Sequence, residues 1–189
     1  MLNSCVSDFA HWSLDAIREE GGSLSWLEEQ RFEWSKTTAF ALEQVLQGKS
    51  IILITDEKRK WLEQYILSSL NSCVLLLERP LIPIVSIDAL FVHYGSISGG
   101  EMIDVVDDML SLSHKDDYFF WYIGKGDDKR SDIAKRQDNS YFWMFDEDFN
   151  DAFTLKSYDK NLDIKLLQLY KLFNASLNAA MFGEVDASS

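Results

Sequence analysis

Cysteine and proline are scarce in this 189-residue chain, with two of each, and there are only nine glycines. Cys5 and Cys73 are too few for the disulfide framework of a small secreted domain or for a cysteine-rich zinc site. So little glycine and proline beside 47% hydrophobic and 13% aromatic residues excludes a collagen-like, low-complexity or disordered chain. Basic residues are also in deficit. Eighteen Lys and Arg against 31 Asp and Glu leave a net charge of −13, a field that repels phosphate backbones and anionic lipid headgroups. Direct nucleic-acid or membrane-surface binding is therefore disfavoured. No apolar run approaches the roughly 18 residues of a spanning helix. Met1 to Ala10 has neither the basic nor the apolar part of an export signal, so a cytoplasmic protein is expected. The length predicts one domain over residues 1–182 and a flexible tail over 183–189.

What is present reads as alternating helices and strands. Phe9 to Glu20 has helical spacing and stops at Gly21-Gly22. Ser25 and Glu28 have the S-x-x-E spacing of a capping box, which predicts one long helix from Ser25 to Gln47, stopped by Gly48. Leu27, Trp34, Thr38, Ala41 and Val45 share one face of it, while Trp26, Phe32, Phe40 and Leu46 point elsewhere. Ile51 to Ile54 is a continuous apolar run, as expected of a central parallel strand covered on both sides. Asp56 is placed to cap a helix whose stripe is Trp61, Leu62, Tyr65, Ile66 and Leu70. Further strands are predicted over Ile82 to Ile87, Tyr118 to Ile123, Tyr141 to Phe145 and, more weakly, Phe153 to Lys156. Helices are predicted over Met102 to Leu112, Lys129 to Arg136 and Asn161 to Phe182. That order implies an α/β fold, a three-layer α/β/α sandwich on a central parallel sheet of about five strands.

In such a sheet the default ligand site lies off the carboxyl ends of the strands. The loops there lack a G-x-G-x-x-G motif, a Walker lysine and a run of small hydroxyl residues, so a phosphate finds no glycine cradle. Gly124-Lys125-Gly126 reads as a plain turn, followed by the anion-repelling Asp127 and Asp128. Acids do gather at these ends: Asp56, Glu57, Asp88, Asp127, Asp128, Asp146, Glu147 and Asp148. Converging carboxylates could hold a divalent cation in a metal-dependent hydrolase. N-capping and solvation also account for them. His11, His93 and His114 lie outside the strand-to-helix loops and suggest no triad. His93 with Tyr94, or His114 with Asp116, could in principle ligate a metal. No cofactor and no metal are expected.

The positive signal is surplus apolar surface. In the last helix Leu162, Leu166, Leu169, Phe173, Leu177 and Ala180 suffice to pack it on a sheet, yet Ile164, Leu167, Leu172 and Phe182 project around the rest. Such a helix is either fully buried or part of an oligomer interface. Ile164, Leu167 and Leu172 are the candidates for that interface.

The stretches Asp163–Phe173, Tyr65–Asn71, Glu78–Leu81, Phe120–Lys125 and Ser25–Glu28 resemble the HobA family, with similarity running from about Trp12 to Phe182. That family comprises replication-initiation regulators of the Helicobacter and Campylobacter group, related to DiaA. The resemblance implies a sugar-isomerase-like (SIS) sandwich, flavodoxin-like in outline, without enzymatic activity. It also implies a homotetramer that binds the N-terminal domain of the initiator DnaA and promotes its assembly at the origin. His93 to Glu101 and the acidic Asp104 to Asp108 segment match no family motif. For the partner contact, large side chains off the main stripes are the candidates: Trp26, Phe32, Met181 and Phe182 as anchors, with Lys58 and Arg59 as rim charges. A sugar-phosphate or other small-molecule-binding domain, and the metal-dependent hydrolase, remain the alternatives.

Overall fold

The computed structural model describes residues 7–72, 79–92, 94, 100–115 and 117–186. Cys5, Cys73, His93, Gly95, Gly99, Asp116 and residues 187–189 of the expected tail lie outside them. The described elements are β1 (Ser7–Asp8), α1 (Phe9–Glu19), α2 (Arg31–Leu46), β2 (Ser50–Thr55), α3 (Lys60–Ser69), β3 (Ile84–Ser86) and α4 (Ile87–Leu90). They continue with α5 (Gly100–His114), β4 (Tyr118–Lys125), α6 (Asp132–Arg136), β5 (Ser140–Phe145), β6 (Ala152–Leu155), α7 (Leu162–Met181) and β7 (Val185–Asp186). Five strands form one sheet in the order β3-β2-β4-β5-β6, every neighbouring pair parallel. Successive side chains of a strand point to opposite faces, so each strand feeds two cores. Ile51, Leu53, Phe119, Trp121 and Ile123 pack under α1, α2, α3 and α7, with Trp121 4.7 Å from the Phe173 ring of α7. Ile52, Ile54, Phe120 and Tyr122 pack under α4, α5 and α6. The result is the three-layer α/β/α sandwich. Among the described residues no helix is long and apolar enough to cross a membrane.

Four local expectations need correction. Ser25 does not cap a long helix: its hydroxyl donates to the Gly22 carbonyl at 3.0 Å, residues Ser25–Leu27 form a 3-10 turn, and α2 starts only at Arg31. Tertiary demands override the local signal there, because Leu27 is buried in the core and the Trp26 indole reaches across to Gln168 of α7. β3 is shorter than Ile82–Ile87. Pro83 has no N–H to give a ladder, and at the other end the Ser86 hydroxyl accepts from Asp88 N at 3.1 Å, turning the chain into α4. Trp61 and Tyr65 stay partly exposed, leaving Leu62, Ile66 and Leu70 as the buried stripe of α3. Finally, the chain from Gly183 to Asp186 is not a loose tail. Gly183 turns it at φ +72°, Val185 is buried, and β7 pairs in parallel with β1.

Candidate functional site

β2 lies between β3 and β4 although it precedes both in sequence, so the strand order reverses at the carboxyl ends of β2 and β4. A ligand crevice is expected at such a point. Protein groups close it. Asp56, just past β2, accepts from Arg59 N at 3.1 Å and from Lys125 N, at the end of β4, at 3.0 Å. The Arg59 guanidinium pairs with the same carboxylate at 3.2 Å and lies 4.4 Å over the Phe145 ring. Burial raises the Asp56 pKa above the usual carboxylate range; Arg59 and the two amides offset this only in part. The Tyr122 hydroxyl donates to Lys125 O at 2.6 Å, and burial, with Asp128 and Asp56 nearby, raises its pKa and keeps the proton in place. A Cβ on Gly124 would come within 2.6 Å of that hydroxyl and 2.9 Å of the Asp56 Cβ, and one on Gly126 would collide with Glu147. These two glycines make room for protein groups rather than for a phosphate.

Most of the acids near the strand ends are engaged by protein donors. Glu63 accepts from Thr55, Ser86 and Lys60, each at 2.7 Å. Lys60 also reaches Asp88, which Arg130 holds at 2.9 Å, while the other arm of Arg130 contacts Glu57 at 3.2 Å. Burial alone would raise the Asp88 pKa, but hydrogen bonds from Lys60 and Arg130 outweigh it and hold the carboxyl below its ordinary value. Asp128 caps the turn before α6 by accepting from Arg130 N, Asp146 accepts from Ser157 N, and Glu147 pairs with Lys135. Asp127 and Asp148 are turned to solvent. Among the described residues no group of three or more His, Cys, Asp or Glu converges as a metal site. His11 pairs with Asp15 on the surface of α1. A hollow of about 450 Å³ does open onto the crevice, lined by Lys58, Arg59, Lys125 and Lys160 but also by Asp159 and Asp163.

The candidate docking residues do not form one patch. Trp26 is half-buried against α7, its indole N–H donating to Gln168 at 2.9 Å and the Lys165 ammonium 4.5 Å from its ring. Phe32 is 63% exposed, with the Arg31 guanidinium over its face. Lys58 is exposed. Met181 is half-buried and Phe182 half-exposed at the far end of α7, about 20 Å along the helix from Gln168 at 1.5 Å per residue. Arg59 corrects the expectation of a rim charge: it is 5% exposed and already paired. Leu172 is likewise 4% exposed, spent in the core of its own chain, whereas Ile164 is 58% exposed. Leu167 is partly buried and lines, with Ile164, Trp12 and Leu24, a groove of about 690 Å³ between α7 and the α1 region.

A second apolar face went unread in the sequence. On α5 the core takes Ile103, Val106 and Leu110, while Met102, Val105, Met109 and Leu112 remain 50, 49, 52 and 83% exposed. The signal was the i, i+3, i+7, i+10 spacing, hidden by the acidic residues between.

Comparison with known proteins bears on this arrangement. The family model of HobA, a DNA replication regulator, matches residues 6–187. The DNA replication regulator protein HobA of Helicobacter pylori is 29% identical over 185 residues, covering 95% of this chain and 99% of the relative. A crystal structure of a HobA–DnaA (domain I-II) complex from Helicobacter pylori superposes with a TM-score of 0.74 at 30% identity, over 96% of this chain and 99% of that one. A crystal structure of HobA from the same organism gives the same TM-score at 29% identity and equal coverage.

Proposed function

The chain belongs to the HobA family of DNA replication regulators, and from that premise we propose that it binds the N-terminal domain of DnaA as a non-catalytic, oligomeric scaffold in the cytoplasm. The observation that carries this reading is the likeness, over nearly the whole of both chains, to a HobA captured with DnaA domain I-II. Three physical features support it. At the strand-order reversal Asp56, Arg59 and Tyr122 bond to one another and to the backbone instead of standing free for a substrate. Large apolar side chains stand exposed on both helical layers, as protein contacts require. The net charge of −13 suits a protein that acts on DNA through a partner rather than by touching it.

The anchors in this reading are Phe32 and Trp26, with Lys58 as a rim charge and Met181 and Phe182 as a separate contact at the other end of α7. Ile164 and Leu167, on the groove beside α1, serve self-association, while the buried Leu172 plays no direct part. Calorimetric titration with the DnaA N-terminal domain tests the reading. Saturable binding by the wild-type chain, weakened at least tenfold in a Trp26→Ala/Phe32→Ala variant, is expected. Absence of binding by the wild-type chain sinks it.

The hollow, where four basic side chains outnumber Asp159 and Asp163, favours a second reading, a small-anion site left over from a sugar-phosphate fold. Thermal shift separates the two. A ligand at 100 times its Kd adds about 2.7 kcal/mol, so stabilisation by a sugar phosphate but not by the DnaA domain favours the second.

A further inference from the structure

The hollow that opens onto the crevice collects cations from three strand ends. Lys58 follows β2, Lys125 ends β4, and Lys160 lies between β6 and α7. Arg59, the fourth basic residue of the lining, is spent on Asp56. The three lysines are not spent in this way. Lys58 and Lys160 have no ion pair among the described residues, and Lys125 has one long contact, with Asp146 at 3.9 Å. On the acidic side Asp159 is held by Lys165 at 2.6 Å and by Asn161 N at 2.9 Å, which leaves Asp163 as the carboxylate of the lining without an ion pair. Three available ammonium groups against one available carboxylate make the hollow positive in a chain whose net charge is −13. The field of the whole molecule turns anions away, and here the local charge reverses it.

Beside these cations stands an indole that the core does not need. Leu62, Ile66 and Leu70 pack α3 on the sheet, while Trp61 is 37% exposed, lines the hollow and has no ring stacked on it among the described residues. An exposed indole offers a flat face on which a planar heterocycle stacks. Lysine ammonium groups bind phosphate oxygens through charge-assisted hydrogen bonds. The Asp163 carboxylate can only accept, and the vicinal hydroxyls of a ribose are donors that suit it. Base, ribose and phosphate together make a nucleotide; a bare anion would use the lysines and leave Trp61 idle. The volume of about 450 Å³ falls within the roughly 300–1,000 Å³ of small-ligand sites. Its place off the carboxyl ends of β2 and β4, where the strand order reverses, is where a parallel sheet takes such ligands.

We propose that the hollow binds a nucleoside diphosphate, with its base on Trp61, its phosphates among Lys58, Lys125 and Lys160, and its ribose hydroxyls on Asp163. The proposal rests on the anion reading of the hollow and names the class of anion. The scaffold reading stands independently of it.

Calorimetric titration of the full chain with ADP, GDP, ribose 5-phosphate and inorganic phosphate tests it. Both nucleotides should bind saturably, about tenfold or more tightly than ribose 5-phosphate, because stacking on an aromatic ring adds about that much and every base has a face to stack. Their affinity should fall as salt is raised, since the attraction is between charges near solvent. Trp61→Ala should weaken ADP about tenfold and leave ribose 5-phosphate unchanged, while Trp61→Phe, which keeps a flat ring, should retain most of the ADP affinity. Lys125→Ala/Lys160→Ala should weaken ADP and ribose 5-phosphate alike. These side chains reach solvent, so the folds should hold, and a melting curve of each variant checks that they do. Nucleotides that bind no better than ribose 5-phosphate, or that ignore Trp61→Ala, overturn the proposal and leave the anion reading in place. Absence of binding by all four probes overturns both.

Discussion

Replacing Asp56 by alanine should lower stability without touching partner recognition. The residue is 3% exposed, and its carboxylate holds two backbone amides and the Arg59 guanidinium, which is itself buried over Phe145. A buried ion pair contributes little net stability, since desolvation cancels much of the attraction, and the raised pKa of Asp56 expresses that balance. Removing one member is another matter. The guanidinium is left without an anion in a dry site, a loss of about 3–5 kcal/mol. For a chain of this size roughly 2–4 °C of melting temperature goes with each kcal/mol. Asp56→Ala should therefore melt about 6–20 °C below wild type. Adding Arg59→Met removes the stranded charge and should recover part of the loss, though the amide of Lys125 stays unsatisfied, while that of residue 59 keeps its bond to the Asp56 carbonyl. Urea denaturation of the wild type, both single variants and the double variant forms the cycle. A single variant within about 1 kcal/mol of wild type would falsify the idea that Asp56 is a structural clasp, as would a double variant no better than Asp56→Ala.

Three further outcomes are expected. Gly124→Ala should destabilise by about 1–3 kcal/mol in urea, because its methyl group meets the Tyr122 hydroxyl and Asp56 in a packed site; wild-type stability would mean that the crevice is open. Asp88 has a folded pKa below its ordinary 3.8, so its contribution is present above that value and lost as the pH falls through the folded one. Melting temperatures from neutral pH into this acid range should fall less steeply in Asp88→Asn than in wild type, and parallel curves would remove Asp88 from the acid response. Phe32→Ala should change stability by less than about 0.5 kcal/mol yet weaken binding of the DnaA domain about tenfold or more; an unchanged Kd removes Phe32 from the contact.

The interior of the fold was readable because its strands are covered on both sides. Ile51–Ile54 and Tyr118–Ile123 are continuous apolar runs that can only be central, and they pair with each other, Leu53 beside Trp121. The buried stripe of α7, from Leu162 to Ala180, likewise follows from its spacing. Errors gathered where a distant contact outweighed a local pattern. Trp26 and Leu27 are held by α7 and the core, so the Ser25 signal did not start a helix. Val185 found a partner strand at the other end of the chain, which no local pattern announces. At the candidate site, residue type revealed chemistry but not company. Arg59 reads as a free cation until Asp56 is seen beside it, and Leu172 as surplus until the core closes over it. The α5 stripe failed for the opposite reason: its apolar period was present, but the acids interleaved with it read as a separate segment.

Size-exclusion chromatography with light scattering, on the chain alone and mixed with the DnaA N-terminal domain, examines the scaffold directly. A multimer should elute alone and gain mass when the initiator domain is added. A single subunit of 21.8 kDa whose elution the domain leaves unchanged would contradict the account.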